Sequence, residues 1–352
     1  MRKGLVGGVV GAVAVGAAVG LTAERYVVGR KRLAPDDEAH EPFFDLPADR
    51  VRRVVADDGV PLHVEEVGSP DAPLTVVFCH GYTQQLAVWH YQRLALAEEV
   101  DARLVFWDQR SHGRSGRSPR ARSTIDQLGS DLRAVLDACA PRGPVVLVGH
   151  SMGGMTVMAL ADAHPQLFGE RVVGVALIAT STGRLASVTF GLPAAFTGAT
   201  KVALPFLTRG MRGRPQLFEK GRRLGSDLAF VATRRGAFGT TDVPPSLVEF
   251  VEKMTADTPV DVIADFYDTF MSHDKLAALR VLRDVEVLVV CGSRDVVTPL
   301  DHSRAIAQEL PDAQLVVVEG AGHMVQLERA PLVTLHLRAL LRRATKGAAR
   351  SA

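Results

Sequence analysis

Val148-Gly149-His150-Ser151-Met152-Gly153-Gly154 places one serine between small residues where an apolar strand gives way to a helix. The strand is read from Pro144-Val145-Val146-Leu147-Val148, a short β-branched run behind a Pro/Gly turn. The helix is read as Met152 to Ala163, with Met155, Met158, Ala159 and Ala163 spaced to bury one face. A serine on so sharp a turn is pushed toward strained backbone angles, and Gly149 and Gly153 remove the Cβ atoms that would otherwise collide. This is the G-x-S-x-G pattern, which holds a side-chain oxygen exposed at the end of a sheet.

Four further segments each follow an apolar, strand-like run. Leu74-Thr75-Val76-Val77-Phe78-Cys79 leads into His80-Gly81-Tyr82, and Leu104-Val105-Phe106-Trp107 leads into Asp108-Gln109-Arg110-Ser111-His112-Gly113-Arg114-Ser115. Val285 to Gly292 ends in Ser293-Arg294-Asp295-Val296-Val297-Thr298-Pro299, and Gln314 to Glu319 ends in Gly320-Ala321-Gly322-His323-Met324. In this order the segments resemble the α/β-hydrolase family, and the resemblance runs from about Val51 to the C-terminus. It implies an α/β fold: a mostly parallel, doubly wound sheet of about eight strands, the first pair antiparallel, with an inserted helical lid over the carboxyl ends of the strands.

The resemblance also implies roles. The amides of Tyr82 and Met152 would form an oxyanion hole, where one preorganised donor is worth roughly 3 to 4 kcal/mol. Ser151, Asp295 and His323 would be the catalytic set, since the order Ser, Asp, His is the one this family uses. An aspartate just past the carboxyl end of a strand can orient an imidazole; the competing reading makes Asp295 a helix N-cap, a job open to Thr298 as well. His80 is expected to brace its loop. Asp108 and His112 are expected to serve architecture, and Ser111 departs from the glycine usual in the D-x-R-G-x-G-x-S turn.

The implied chemistry is two-step acyl transfer through an acyl-enzyme on Ser151, with no cofactor. The histidines lack H-E-x-x-H spacing, isolated cysteines cannot build a structural zinc site, and no glycine-rich phosphate loop is present, so no metal and no nucleotide are expected. Epoxide hydrolases and haloalkane dehalogenases of this fold attack with an aspartate; a serine points to carbonyl substrates. A small-molecule or lipid ester comes first. A perhydrolase-type or C–C bond hydrolase and a non-catalytic binding protein retaining the fold stay open.

Residues 184–275 interrupt the strand–helix alternation and are read as the lid, between core segments 48–183 and 276–346. Its first half mixes Phe190, Phe206 and Leu207 with Arg209, Arg212 and Arg222, while its second half carries Asp257, Asp261, Asp265 and Asp268. Such halves attract one another, or the basic half faces an anionic membrane. Phe266, Tyr267 and Phe270, with Val262, recur at helical spacing and are read as the roof of an acyl pocket, with ordinary packing as the alternative.

Gly4 to Ala23 carries no charge and is long enough to span a bilayer. Residues 1–32 are therefore read as a single-pass membrane anchor, a cleaved signal peptide and secretion being the alternative. Arg25, Arg30, Lys31 and Arg32 after the span place the catalytic domain on the cytoplasmic side. Residues 33–47 read as a linker and 347–352 as a disordered tail. With 352 residues, 47% hydrophobic, the chain can build one large core. Its net charge of +2 makes no case for nucleic acid and leaves the oligomeric state open.

Overall fold

The computed structural model describes residues 36–185, 188, 205–224, 226–240 and 242–351. The β-branched runs become β1 (Arg50–Val55), β2 (Pro61–Val67), β3 (Thr75–Cys79), β4 (Arg103–Trp107), β5 (Val145–His150), β6 (Val172–Ile178), β7 (Glu286–Gly292) and β8 (Gln314–Val318). They form one 8-stranded sheet in the order β1-β2-β4-β3-β5-β6-β7-β8. β2 is antiparallel to both β1 and β4, and every other pairing is parallel. All residues of β3, β4 and β5 are buried. A central parallel strand is covered on both faces, which is why these segments read as continuous apolar runs and not as alternating ones.

The helices include α1 (His90–Glu99), α2 (Ile125–Cys139), α3 (Met152–Ala163), α4 (Pro215–Leu224), α5 (Ser226–Ala237), α6 (Pro245–Asp257), α7 (Val260–Ser272), α8 (Leu300–Glu309), α9 (Val325–Glu328) and α10 (Ala330–Ser351). The two faces of the sheet feed separate cores. Val76 and Phe78 pack with Trp89, Leu96 and Leu337 on one side, while Val77 and Cys79 pack with Leu132, Val157 and Ile306 on the other. Strand order reverses between β3 and β5, so the crevice at their carboxyl ends is where an open α/β sheet receives a ligand.

Helices α4 to α7 are inserted between β6 and β7. The chain leaves and re-enters the core side by side: Gly183 and Asp274 form an antiparallel bridge, and the Lys275 amide donates to the Thr182 carbonyl at 2.7 Å. Charge reversal along the insertion has a visible consequence. Arg212 pairs with Asp265 at 3.2 Å and Asp268 at 3.0 Å, and from the core loop Arg117 pairs with Asp261 at 2.6 Å. The two halves attract one another at Arg212.

Three expectations are corrected. The span read at Gly4 to Ala23 lies outside the described residues, and among the described residues no helix is long and apolar enough to cross a membrane. The anchor, the membrane partner and the membrane localisation are therefore withdrawn; a glycine-alanine run has modest hydrophobicity, and α10, at 22 residues, carries Arg338, Arg342 and Arg343. The segment read as a linker is tied down in part. Phe43 is buried and stacks on Phe250 of α6 with ring centroids 4.5 Å apart, and Asp36 accepts from the Ser246 amide at 2.7 Å. Finally, α10 continues through residues 347–351, which the sequence assigns to a disordered tail.

Candidate active site

β5 ends at His150 and α3 begins at Met152, leaving Ser151 on the corner at φ 51° and ψ −117°. The glycine requirement is steric. A Cβ at Gly149 would lie 2.5 Å from the Gly153 carbonyl oxygen, and one at Gly153 would lie 2.0 Å from that of Cys79. Ser151 is held from behind: its amide donates to the Ile178 carbonyl at 2.9 Å, and Thr180 Oγ1 donates to its own carbonyl at 2.7 Å.

Asp295 follows β7, and its Oδ2 lies 2.9 Å from His323 Nδ1. Thr298 Oγ1 donates to the same oxygen at 2.9 Å, and the amides of Val297 and Thr298 donate to Oδ1 at 2.8 and 2.9 Å. Burial disfavours the charge on Asp295, but the adjacent His323 and the Thr298 donors outweigh it and hold the carboxyl below its ordinary value. The helix-cap alternative does not hold, because α8 takes no side-chain cap. With Nδ1 engaged as donor to the carboxylate, Nε2 of His323 keeps a lone pair.

The loop before His323 packs backbone against backbone. A Cβ at Gly292 would meet the Ala321 carbonyl oxygen at 2.2 Å, and one at Gly322 would meet the Gly239 nitrogen at 2.4 Å. Glu328 fastens this loop to the insertion by accepting from the amides of Gly322 at 2.7 Å and Thr240 at 3.0 Å. The rings of His323 and His150 stand 4.9 Å apart, which brings the imidazole to the corner that carries Ser151. Among the described residues no hydrogen bond joins Ser151 Oγ to His323; such contacts commonly tighten only when substrate is bound.

Tyr82 follows β3 and faces this corner. Among the described residues the amides of Tyr82 and Met152 donate to no acceptor, so both N–H groups are free. The Tyr82 ring meets Phe270 edge-on at 4.9 Å and Phe266 at 6.3 Å, and its hydroxyl donates to the Ile263 carbonyl. Phe266 is fully buried in a cluster with Ile125, Leu128, Met152, Met155 and Val262, against which Tyr82 and Phe270 pack. Tyr267 is not in that cluster. One residue along a helix is a turn of about 100°, which takes it off the face that Phe266 and Phe270 share.

The neighbouring turn is scaffold. Asp108 accepts from the amides of Leu86 at 2.7 Å and Arg114 at 2.8 Å. Arg110, wholly buried, makes two-pronged contacts to Asp131, both at 2.6 Å, and to Asp58 at 2.8 and 3.1 Å. Ser111 takes φ 65°, the left-handed conformation for which glycine is usual. His80 Nδ1 donates to the Gly81 carbonyl at 2.7 Å and its Nε2 accepts from the Gln109 amide at 2.9 Å, with burial holding the ring well below its ordinary pKa. Gln109 in turn accepts from Thr156 on α3 at 2.7 Å. Sequence reasoning missed His150, Gln84, Thr180 and Glu328, each of which has a partner at least 29 positions away: His323 for His150, Met324 for Gln84, Ser151 for Thr180 and Thr240 for Glu328.

A family model for the alpha/beta hydrolase fold matches residues 75–330, more than half of the chain. The chain belongs to the α/β-hydrolase fold family. Among curated relatives of this α/β-hydrolase, the acetyltransferase component of an acetoin cleaving system from Pseudomonas putida is 28% identical over 78% of the chain, which spans 65% of that protein's length. An sn-1-specific diacylglycerol lipase from Mus musculus is 29% identical, covering 74% of the chain and 78% of the relative. A thermophilic esterase from Thermogutta terrifontis aligns with a TM-score of 0.65 at 24% identity, over 84% of this chain and 99% of that one. Likeness at that identity carries the fold and not the substrate. The family and its esterase and lipase members support a hydrolase as the broad class.

Proposed function

We propose that this α/β-hydrolase is a serine hydrolase that cleaves a carboxylic ester with a hydrophobic acyl chain. His323 Nε2 takes the Ser151 proton as Oγ attacks the carbonyl, and the amides of Tyr82 and Met152 receive the negative oxygen. The imidazolium, balanced by Asp295, returns the proton to the departing alcohol, and a water activated by the same ring releases the acid. The observation that carries the reading is the Asp295–His323 contact of 2.9 Å beside a serine strained to φ 51°. The apolar acyl chain is supported by the cluster of Met152, Met155, Val262 and Phe266 over the corner, and by similarity to a diacylglycerol lipase.

Relatives also include an epoxide hydrolase from Caenorhabditis elegans at 23% identity. Its class attacks with an aspartate, and position 151 is a serine, which favours the acyl route. The test is labelling by a fluorophosphonate, expected in the intact enzyme and absent in Ser151→Ala of unchanged fold. A p-nitrophenyl ester panel from acetate to palmitate then reads the acyl preference. Turnover that falls steeply beyond acetate would remove the long-chain reading, and an enzyme that takes no label would remove the serine-hydrolase reading.

A further inference from the structure

The pattern G-x-S-x-G leaves the residue before the serine unspecified, yet here it is a fully buried histidine. His150 Nε2 lies 3.0 Å from the backbone oxygen of His323, and its Nδ1 lies 3.1 Å from Gln84 Oε1. Gln84 Oε1 also accepts the Gly81 amide at 3.0 Å, while its Nε2 donates to Met324 Sδ at 3.3 Å. Gly81 adjoins Tyr82, and Met324 adjoins His323. Gln84 therefore ties the loop that presents a free amide to the loop that presents the imidazole, and His150, next to the serine, stands against both.

The tie has no slack. A Cβ at Gly81 would lie 2.9 Å from His150 Nδ1 and equally close to both polar atoms of the Gln84 side chain. Burial, followed by the nearby His323, holds the His150 ring down to about 3, so it is neutral near pH 7 and has one N–H. That single proton serves one of two acceptors, His323 O or Gln84 Oε1, so His150 makes one hydrogen bond to the pair of loops, and the bonded link between them runs through Gln84, which accepts the Gly81 N–H and donates to Met324 Sδ. Gln84 cannot relieve the mismatch by turning over, because its nitrogen would then face the Gly81 N–H.

We propose that His150 and Gln84 are positioning residues, a strut that fixes the separation between the Tyr82 amide and the His323 imidazole so that both act on one carbonyl. The inference rests on the serine-hydrolase reading above. Neither residue touches the reacting atoms. Misplacement of a reacting group by about 1 Å can cost on the order of 10²-fold in rate, and so small an error leaves the fold intact.

The test compares the intact enzyme with His150→Leu, Gln84→Leu, the double variant and His150→Gln. Four quantities are read: the fraction of sites that a fluorophosphonate finally labels, the labelling rate, and kcat and KM for p-nitrophenyl acetate. The strut predicts an unchanged labelled fraction, labelling rate and kcat down about 10- to 100-fold, and KM within about threefold. The double variant should be no slower than the worse single one, and His150→Gln, which restores an amide donor, should recover much of the loss. Should His150→Leu fail to fold, Gln84→Leu carries the same comparison with the elbow sequence intact. A reduced labelled fraction reacting at the normal rate would make the pair merely structural, and additive losses in the double variant would make it two unrelated contacts; either overturns the strut. An intact enzyme that takes no label sinks the hydrolase reading and the strut with it, whereas normal labelling of His150→Leu sinks the strut alone.

Discussion

Asp295 illustrates how much a single carboxylate does here. It accepts from Val297, from both donors of Thr298 and from His323, and it is held charged although buried. Asp295→Asn keeps the shape but loses the charge and the fixed ring tautomer, so kcat for an activated ester should fall roughly 10⁴-fold with the melting temperature little changed. A fall below tenfold would show that this carboxylate is not the imidazole's partner in turnover. Gly113, at φ 51°, is a different case: a Cβ would lie 2.3 Å from the Asp108 carboxyl. Gly113→Ala forces that carboxylate off the amides of Leu86 and Arg114 as well as straining the backbone, and should destabilise by about 3 kcal/mol in urea titration. The sequence marks these residues because each steric or charge demand is met by one residue type. His150 and Gln84 escape notice because histidine and glutamine at those positions follow no sequence motif, and the partners that link them to His323 and Met324 come from another loop.

At the scale of elements, α7 brings the insertion onto the site. Helical spacing puts Val262, Phe266 and Phe270 on one face, and the structure packs that face on Tyr82, Met152 and Met155, with Tyr267 turned aside. Phe266→Ala empties a fully buried site and should cost about 3 to 5 kcal/mol, measured as a shift of the urea midpoint. If this face bounds an acyl site, the same change should shift the preferred p-nitrophenyl ester toward longer or bulkier acyl groups; an unchanged profile would assign Phe266 to packing alone. Periodicity located the face but not what it covers. Pairing of Arg212 with Asp265 and Asp268 was one of two readings of a charge reversal, and only the folded insertion distinguishes attraction within the protein from attraction to a surface elsewhere.

Across the whole molecule, buried neutral histidines make stability depend on pH. Burial lowers His112 to about 4 and His150 to about 3, and places His80 well below 6.5. An unfolded imidazole titrates near 6.5, so on acidification the unfolded chain takes up protons that the folded one refuses. Stability from these groups is therefore complete above about pH 6.5 and is lost as pH falls toward their folded values. His112 and His150 each contribute on the order of 1 to 2 kcal/mol to the loss between pH 6.5 and 5, His80 adds to it in the same direction, and Asp295, lowered in the folded state, adds only in the more acidic range below the ordinary carboxylate value. The urea midpoint should accordingly drop from pH 7 to pH 5; a flat midpoint would mean that these rings take up protons without unfolding.

The sequence by itself determined the sheet, the elbow, the scaffold turn and the identity of the candidate triad. Strand burial, glycine sterics and the order of apolar runs are local properties, readable wherever the chain happens to fold. Tertiary structure decided the rest. It brought Asp295 to His323, joined His150 and Gln84 between two loops and set Phe43 on Phe250. Those contacts join residues distant along the chain or depend on the angle at which a helix docks, and neither quantity is encoded in any short stretch of residues.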